Sequence, residues 1–84
     1  MRSYIITFRS VTFAQRAESV LRRNGISCSL RRTPKWLEEQ GCGYSVQLRN
    51  ENVVVAVGKL RENKIDFRKV YYQLPGGDME ELRL

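Results

Sequence analysis

The chain has no histidine. Without it there is no histidine general acid–base catalysis, no Ser-His or Cys-His dyad, and little basis for a zinc site. Cysteine is scarce, with only Cys28 and Cys42, and no C-x-x-C pair. That spacing makes neither a zinc ribbon nor a thioredoxin-type redox centre. Long apolar runs are missing too. The longest, Tyr4-Ile5-Ile6 and residues 53–57, fall far short of the roughly 20 residues a transmembrane helix needs. No apolar leader or small-residue cleavage site follows Met1-Arg2, so the expected location is the cytoplasm, away from membranes. The nine carboxylates fall mostly where helix surfaces or loops are expected. Together these absences argue against a self-sufficient hydrolase, and no metal or cofactor is expected.

What remains is one domain's worth of ordinary globular sequence, 84 residues at 42% hydrophobic and 29% charged. Its charge is lopsided. Residues 1–34 hold seven arginines (Arg2, Arg9, Arg16, Arg22, Arg23, Arg31 and Arg32) against one acid, Glu18. Residues 35–84 hold eight bases and eight acids, so the whole net charge of +6 sits in the first 34 residues. Such asymmetry marks either an anionic partner, nucleic acid or protein, or a plain solvated basic face.

The apolar spacing predicts six elements. Residues 3–9 alternate around Tyr4, Ile6 and Phe8, with Ile5 and Thr7 opposite, which reads as a central strand with apolar residues on both faces. Thr12, with Gln15 three positions on, reads as a helix N-cap and capping box. Phe13, Ala14, Ala17, Val20 and Leu21 then share one helical face, and Gly25 is the stop. Ile26, Cys28 and Leu30 alternate as a second strand, and Tyr44, Val46 and Leu48 as a third. Asn50 or Asn52 is placed to cap a second helix burying Val53, Val57 and Leu60. Its valine run has strand propensity, but Leu60 and Ile65 continue at helical spacing. Residues 67–74 form a final strand before Pro75-Gly76-Gly77. The β-α-β-β-α-β order predicts an α+β, ferredoxin-like sandwich: a four-stranded antiparallel sheet with two helices on one face and the other face bare. Residues 1–75 read as the single domain and 76–84 as a short C-terminal tail.

The two cysteines have different settings. Cys28 is in phase with Ile26 and Leu30 and reads as a small core hydrophobe. Cys42 stands between Gly41 and Gly43, at the end of a loop and the start of a strand. Flanking glycines leave a thiol unshielded and let another backbone approach closely. They are equally what a turn that happens to contain cysteine requires. A thiol reacts as thiolate, which nearby positive charge stabilises. Arg31, Arg32 and Lys35 open the same connection, while Glu38 and Glu39 oppose them. With no histidine base, this arrangement suits a thiol loaded and unloaded by other proteins better than an autonomous catalyst.

A series of short landmarks runs along the chain in order. Phe8 and Ser10 close the first strand, Ala14 and Glu18 lie on the first helix, and Gly25-Ile26 opens the second strand. Thr33-Pro34-Lys35, Cys42-Gly43 and Val70-Tyr71 follow. In this order and spacing, over residues 3–74, the chain resembles the small bacterial selenium/sulfur carrier protein-like family. The resemblance implies that Cys42 is the acceptor thiol, holding sulfur or selenium as a persulfide or selenopersulfide. A donor protein such as a cysteine desulfurase or selenocysteine lyase would load it, and an acceptor enzyme would unload it.

Two other classes compete. A nucleic-acid-binding module would use the basic first third and exposed Tyr4, Tyr71 or Tyr72, although no RNP-like pattern is present. A regulatory or interaction subunit would pair its bare sheet face with a second copy, as a homodimer, or with a larger enzyme, with Trp36 as an interface anchor or a lid on the core.

Overall fold

The structure is a computed structural model that describes residues 3–33, 43–49, 53–74 and 76–83. The elements run β1 (Ser3–Thr7), α1 (Val11–Arg23), β2 (Cys28–Arg32), β3 (Tyr44–Leu48), α2 (Val53–Glu62), β4 (Val70–Gln73) and β5 (Met79–Leu82). The sheet has five strands, not the four expected, in the order β2-β3-β1-β4-β5, and every neighbouring pair is antiparallel. The segment expected as a tail supplies the fifth strand. Met-Glu-Glu-Leu has little strand propensity of its own. The turn at Gly77, with φ +95, returns the chain to the open edge of β4, and pairing there imposes the strand.

Strand β1 is central, as its two apolar faces require. One face of the sheet carries Tyr4, Ile6, Val46, Leu48 and Val70 into the main core, together with Phe8 just beyond β1. The buried faces of both helices meet them there, through Ala14, Ala17, Val20 and Leu21 from α1 and Val53, Ala56, Val57 and Leu60 from α2. Each large side chain fully buried here contributes about 1.5–3 kcal/mol. The opposite face is less bare than the sequence suggests. Ile5, Thr7, Ser45 and Tyr71 are all buried on it, and Met79 of β5 packs on Ile5 and Tyr71.

Helix α1 begins two residues earlier than the Thr12 capping box implies. Ser10 is the N-cap: its backbone is extended, at φ −137, and its hydroxyl accepts the Phe13 N–H at 3.3 Å. The chain leaves β1 after Thr7, so Ser10 is still extended when the helix starts and Thr12 is already inside it. The candidate caps of α2, Asn50 and Asn52, lie outside the described residues.

Both helices end alike. At α1, Gly25 N–H bonds Arg22 O and Ile26 N–H bonds Leu21 O; at α2, Lys64 N–H bonds Arg61 O and Ile65 N–H bonds Leu60 O. These paired bonds are Schellman ends, each followed by a buried isoleucine. Asn24 and Asn63 donate their side-chain amides back to Val20 O and Lys59 O. The left-handed position is glycine in one case (Gly25, φ +76) and lysine in the other (Lys64, φ +56).

Strand β2 is an edge, and α1 closes part of it. In the β2–β3 register Cys28 and Leu30 turn their backbone groups outward. A Glu18 carboxylate oxygen accepts the Leu30 N–H at 2.9 Å, and the Arg22 guanidinium donates to Cys28 O at 3.2 and 3.4 Å. Glu18 and Arg22 are themselves paired at 3.4 Å. Occupied edge groups cannot template another strand.

Candidate functional site

The candidate site is the connection from β2 to β3. Its two ends are brought together by the ladder itself. Arg31 stands opposite Ser45 and Arg32 opposite Tyr44. One step further, the backbone N–H of Thr33 donates to the carbonyl of Gly43 at 2.8 Å. Thr33 is buried despite being polar. Gly43 has φ +81, a left-handed conformation that a side chain would strain, so glycine at this point is a backbone requirement.

Of the residues the sequence singles out, Arg31, Arg32 and Gly43 lie within the described part of the chain. Lys35, Gly41 and Cys42 lie outside the described residues, as does Trp36. The two arginines, adjacent in sequence, diverge onto opposite faces of the sheet by the alternation of the strand. Both are exposed. Arg32 shares the helix-side face with Tyr44, and its guanidinium carbon sits 5.6 Å from the centre of that ring. A cation–π contact of this kind at an exposed site is worth about 0.5–1 kcal/mol. It holds a full positive charge at the start of β3, two residues beyond Cys42. Arg31 is not brought to Tyr44.

Two participants escape a reading of the sequence. Thr33 clamps the base of the connection through its backbone, and Tyr44 seats Arg32. Their only possible signal is the β2–β3 register, which local periodicity does not set.

The other thiol has an opposite environment. Cys28 is 7% exposed and packs in the main core. Its Sγ–H donates to the Glu18 backbone carbonyl at 3.7 Å. Burial pushes its pKa up, and the Glu18 carboxylate adds to this, against a smaller opposing effect of Arg22. Cys28 is therefore held protonated and shielded, as its phase with Ile26 and Leu30 implies.

The aromatic platform expected of a nucleic-acid binder is not exposed. Tyr4 and Tyr71 are buried, and half-buried Tyr72 tilts against Tyr4 with ring centres 5.4 Å apart. Tyr4 and Tyr72 pack in the main core under the helices, and Tyr71 packs with Ile5 and Met79 on the opposite face. Among the described residues no helix is long and apolar enough to cross a membrane, and no group of three or more metal-ligating side chains occurs.

Comparison with known proteins finds a family match. The family model described as "Putative Se/S carrier protein-like" covers residues 3–72. No curated protein and no solved structure matches the chain.

Proposed function

The chain belongs to the selenium/sulfur carrier protein-like family, and on that premise we propose that it carries a sulfur or selenium atom on Cys42 between a donor and an acceptor protein. The observation that carries this reading is the bond from Thr33 N–H to Gly43 O. It pins the residue next to Cys42 at the mouth of the β2–β3 connection, beside the seated charge of Arg32. Gly41 and Gly43 put no side chain next to the thiol. Arg31, Arg32 and Lys35 favour its thiolate and attract acidic partner surfaces.

The loading step is an exchange at sulfur. The Cys42 thiolate attacks the terminal sulfur of a donor persulfide, a new S–S bond forms on Cys42, and the donor leaves as thiolate. Unloading is the same step with an acceptor nucleophile, which leaves Cys42 as thiolate again. No histidine is needed, because the donor and acceptor supply the driving force. With selenium the transferred atom changes and the displacement does not. We read β1 to β4 with both helices as a ferredoxin-like unit extended by β5, an assignment supported by the order β2-β3-β1-β4.

The test is to treat the reduced protein with glutathione persulfide and map the added sulfur by peptide mass spectrometry. The expected result is one sulfur atom on the Cys42 peptide, lost in Cys42→Ser and retained in Cys28→Ala. Addition to Cys28 instead, or to neither cysteine, would overturn the reading.

A further inference from the structure

The arginines of the first third are only partly used by the fold. Arg22 binds Cys28 O and Glu18, and Arg32 lies over Tyr44. Arg16 and Arg23, among the described residues, have no ion pair, hydrogen bond or ring contact of their side chains. Both line one open groove of about 280 Å3 between the flank of α1 and the turn that ends α2. Seven positions separate them, which on a helix is about 10.5 Å along the axis and only ~20° around it. Ser19 lies between them on the same flank, and the Thr12 hydroxyl stands one turn nearer the start of α1, freed from capping by Ser10. Val20 and Ile65 form an apolar floor, and neither a carboxylate nor an aromatic ring lines the groove.

We propose that this groove binds a diphosphate group carried by a small molecule. Two arginines on one helix flank, both lining the same groove, match two linked anionic centres better than one. Each presents a planar fork suited to bidentate contact with phosphate oxygens, with hydroxyl donors between and beside them. A diphosphate is made of acceptors, and the only charged groups here are pure donors. A nucleic-acid strand would need stacking rings that the groove lacks. Arg23 stands in the last turn of α1, where its charge also serves the helix's own terminal carbonyls. Arg16 and Ser19 therefore carry more of the site. The proposal does not rest on Cys42.

The experiment is an NMR titration of the backbone amides with inorganic pyrophosphate and, separately, ADP, at constant ionic strength. Saturable shifts centred on Arg16, Ser19 and Arg23 are expected. The double variant R16Q/R23Q should keep its folded spectrum and bind about tenfold or more weakly, as the loss of charged hydrogen bonds implies. Arg16→Gln alone should weaken binding more than Arg23→Gln. Equal affinity for both probes identifies the diphosphate alone as the determinant, and tighter ADP binding identifies a nucleotide as its source. Cys42→Ser protein should bind as the parent does, so this result and the sulfur-loading result fail independently. Three outcomes overturn the proposal: no saturable shifts, shifts spread over all arginines, or tighter occupation of the same residues by an acidic peptide.

Discussion

The backbone N–H of Thr33 meets the carbonyl of Gly43 at 2.8 Å, closing the mouth of a connection whose last residue in sequence is Cys42. The pair extends the β2–β3 ladder by one step past Arg32 and Tyr44. It transfers the rigidity of the sheet to the residue adjoining the proposed acceptor thiol. A catalytic or carrier group gains precision when its neighbour belongs to a regular element.

Replacing Gly43 by alanine tests that clamp. At φ +81 an L-side chain costs about 1–2 kcal/mol. Gly43→Ala should lower the unfolding free energy measured in urea by that amount, speed hydrogen exchange at the Thr33 amide and change the alkylation rate of Cys42. An unchanged Thr33 exchange rate would show that the clamp does not depend on the left-handed turn.

Lys64 offers the converse. It sits at φ +56 in the Schellman end of α2, where α1 has Gly25. Lys64→Gly relieves the left-handed cost and should stabilise the protein by about 0.5–1 kcal/mol, after the greater freedom glycine has when unfolded is subtracted. Thermal unfolding reads this directly, and a lower midpoint would contradict it.

Glu18 guards an edge. Glu18→Ala leaves the outward Leu30 N–H without its carboxylate and removes the partner of Arg22. The half-exposed site moderates the loss, so about 1–2 kcal/mol is expected. The freed edge should also favour association, seen as a concentration-dependent rise in sedimentation coefficient. A variant that stays monomeric and as stable as the parent would remove Glu18 from this role.

The buried thiol of Cys28 makes stability fall in alkali. Its folded pKa lies above its unfolded value because burial opposes the thiolate. The folded protein therefore holds a proton that the unfolded chain gives up above about pH 8.5. Below that pH the contribution is complete and flat; above it, up to about 1.4 kcal/mol is lost per pH unit until the folded pKa is passed. Tyrosines and lysines titrate nearby, so the measure is the difference between parent and Cys28→Ala in urea unfolding at pH 7.5 and pH 10. The parent should lose more than the variant, and parallel losses would refute the assignment.

Much of the architecture is legible in short-range patterns. The alternation of Tyr4, Ile6 and Phe8 and of Tyr44, Val46 and Leu48, and the helical face of Ala14, Ala17, Val20 and Leu21, each report a period that one chain segment imposes on itself. Even the ambiguous valine run resolves as α2, because Leu60 and Ile65 extend its helical spacing into the core. Cap choice at Ser10 over Thr12 was not legible. Both residues can cap, and the decision depends on where β1 releases the chain.

The sequence by itself determined the absence of histidine, the crowding of positive charge into the first third, the buried phase of Cys28 and the glycines flanking Cys42. Those are properties of residue identity and local period. Only the tertiary structure decided that Met79–Leu82 completes the sheet and that Arg31 and Arg32 part to opposite faces. It alone also joined Thr33 to Gly43, and Arg16 and Arg23 to one groove. These relationships follow from strand register and from helix packing against a neighbour, and long-range pairing energies set both where local propensity is indifferent.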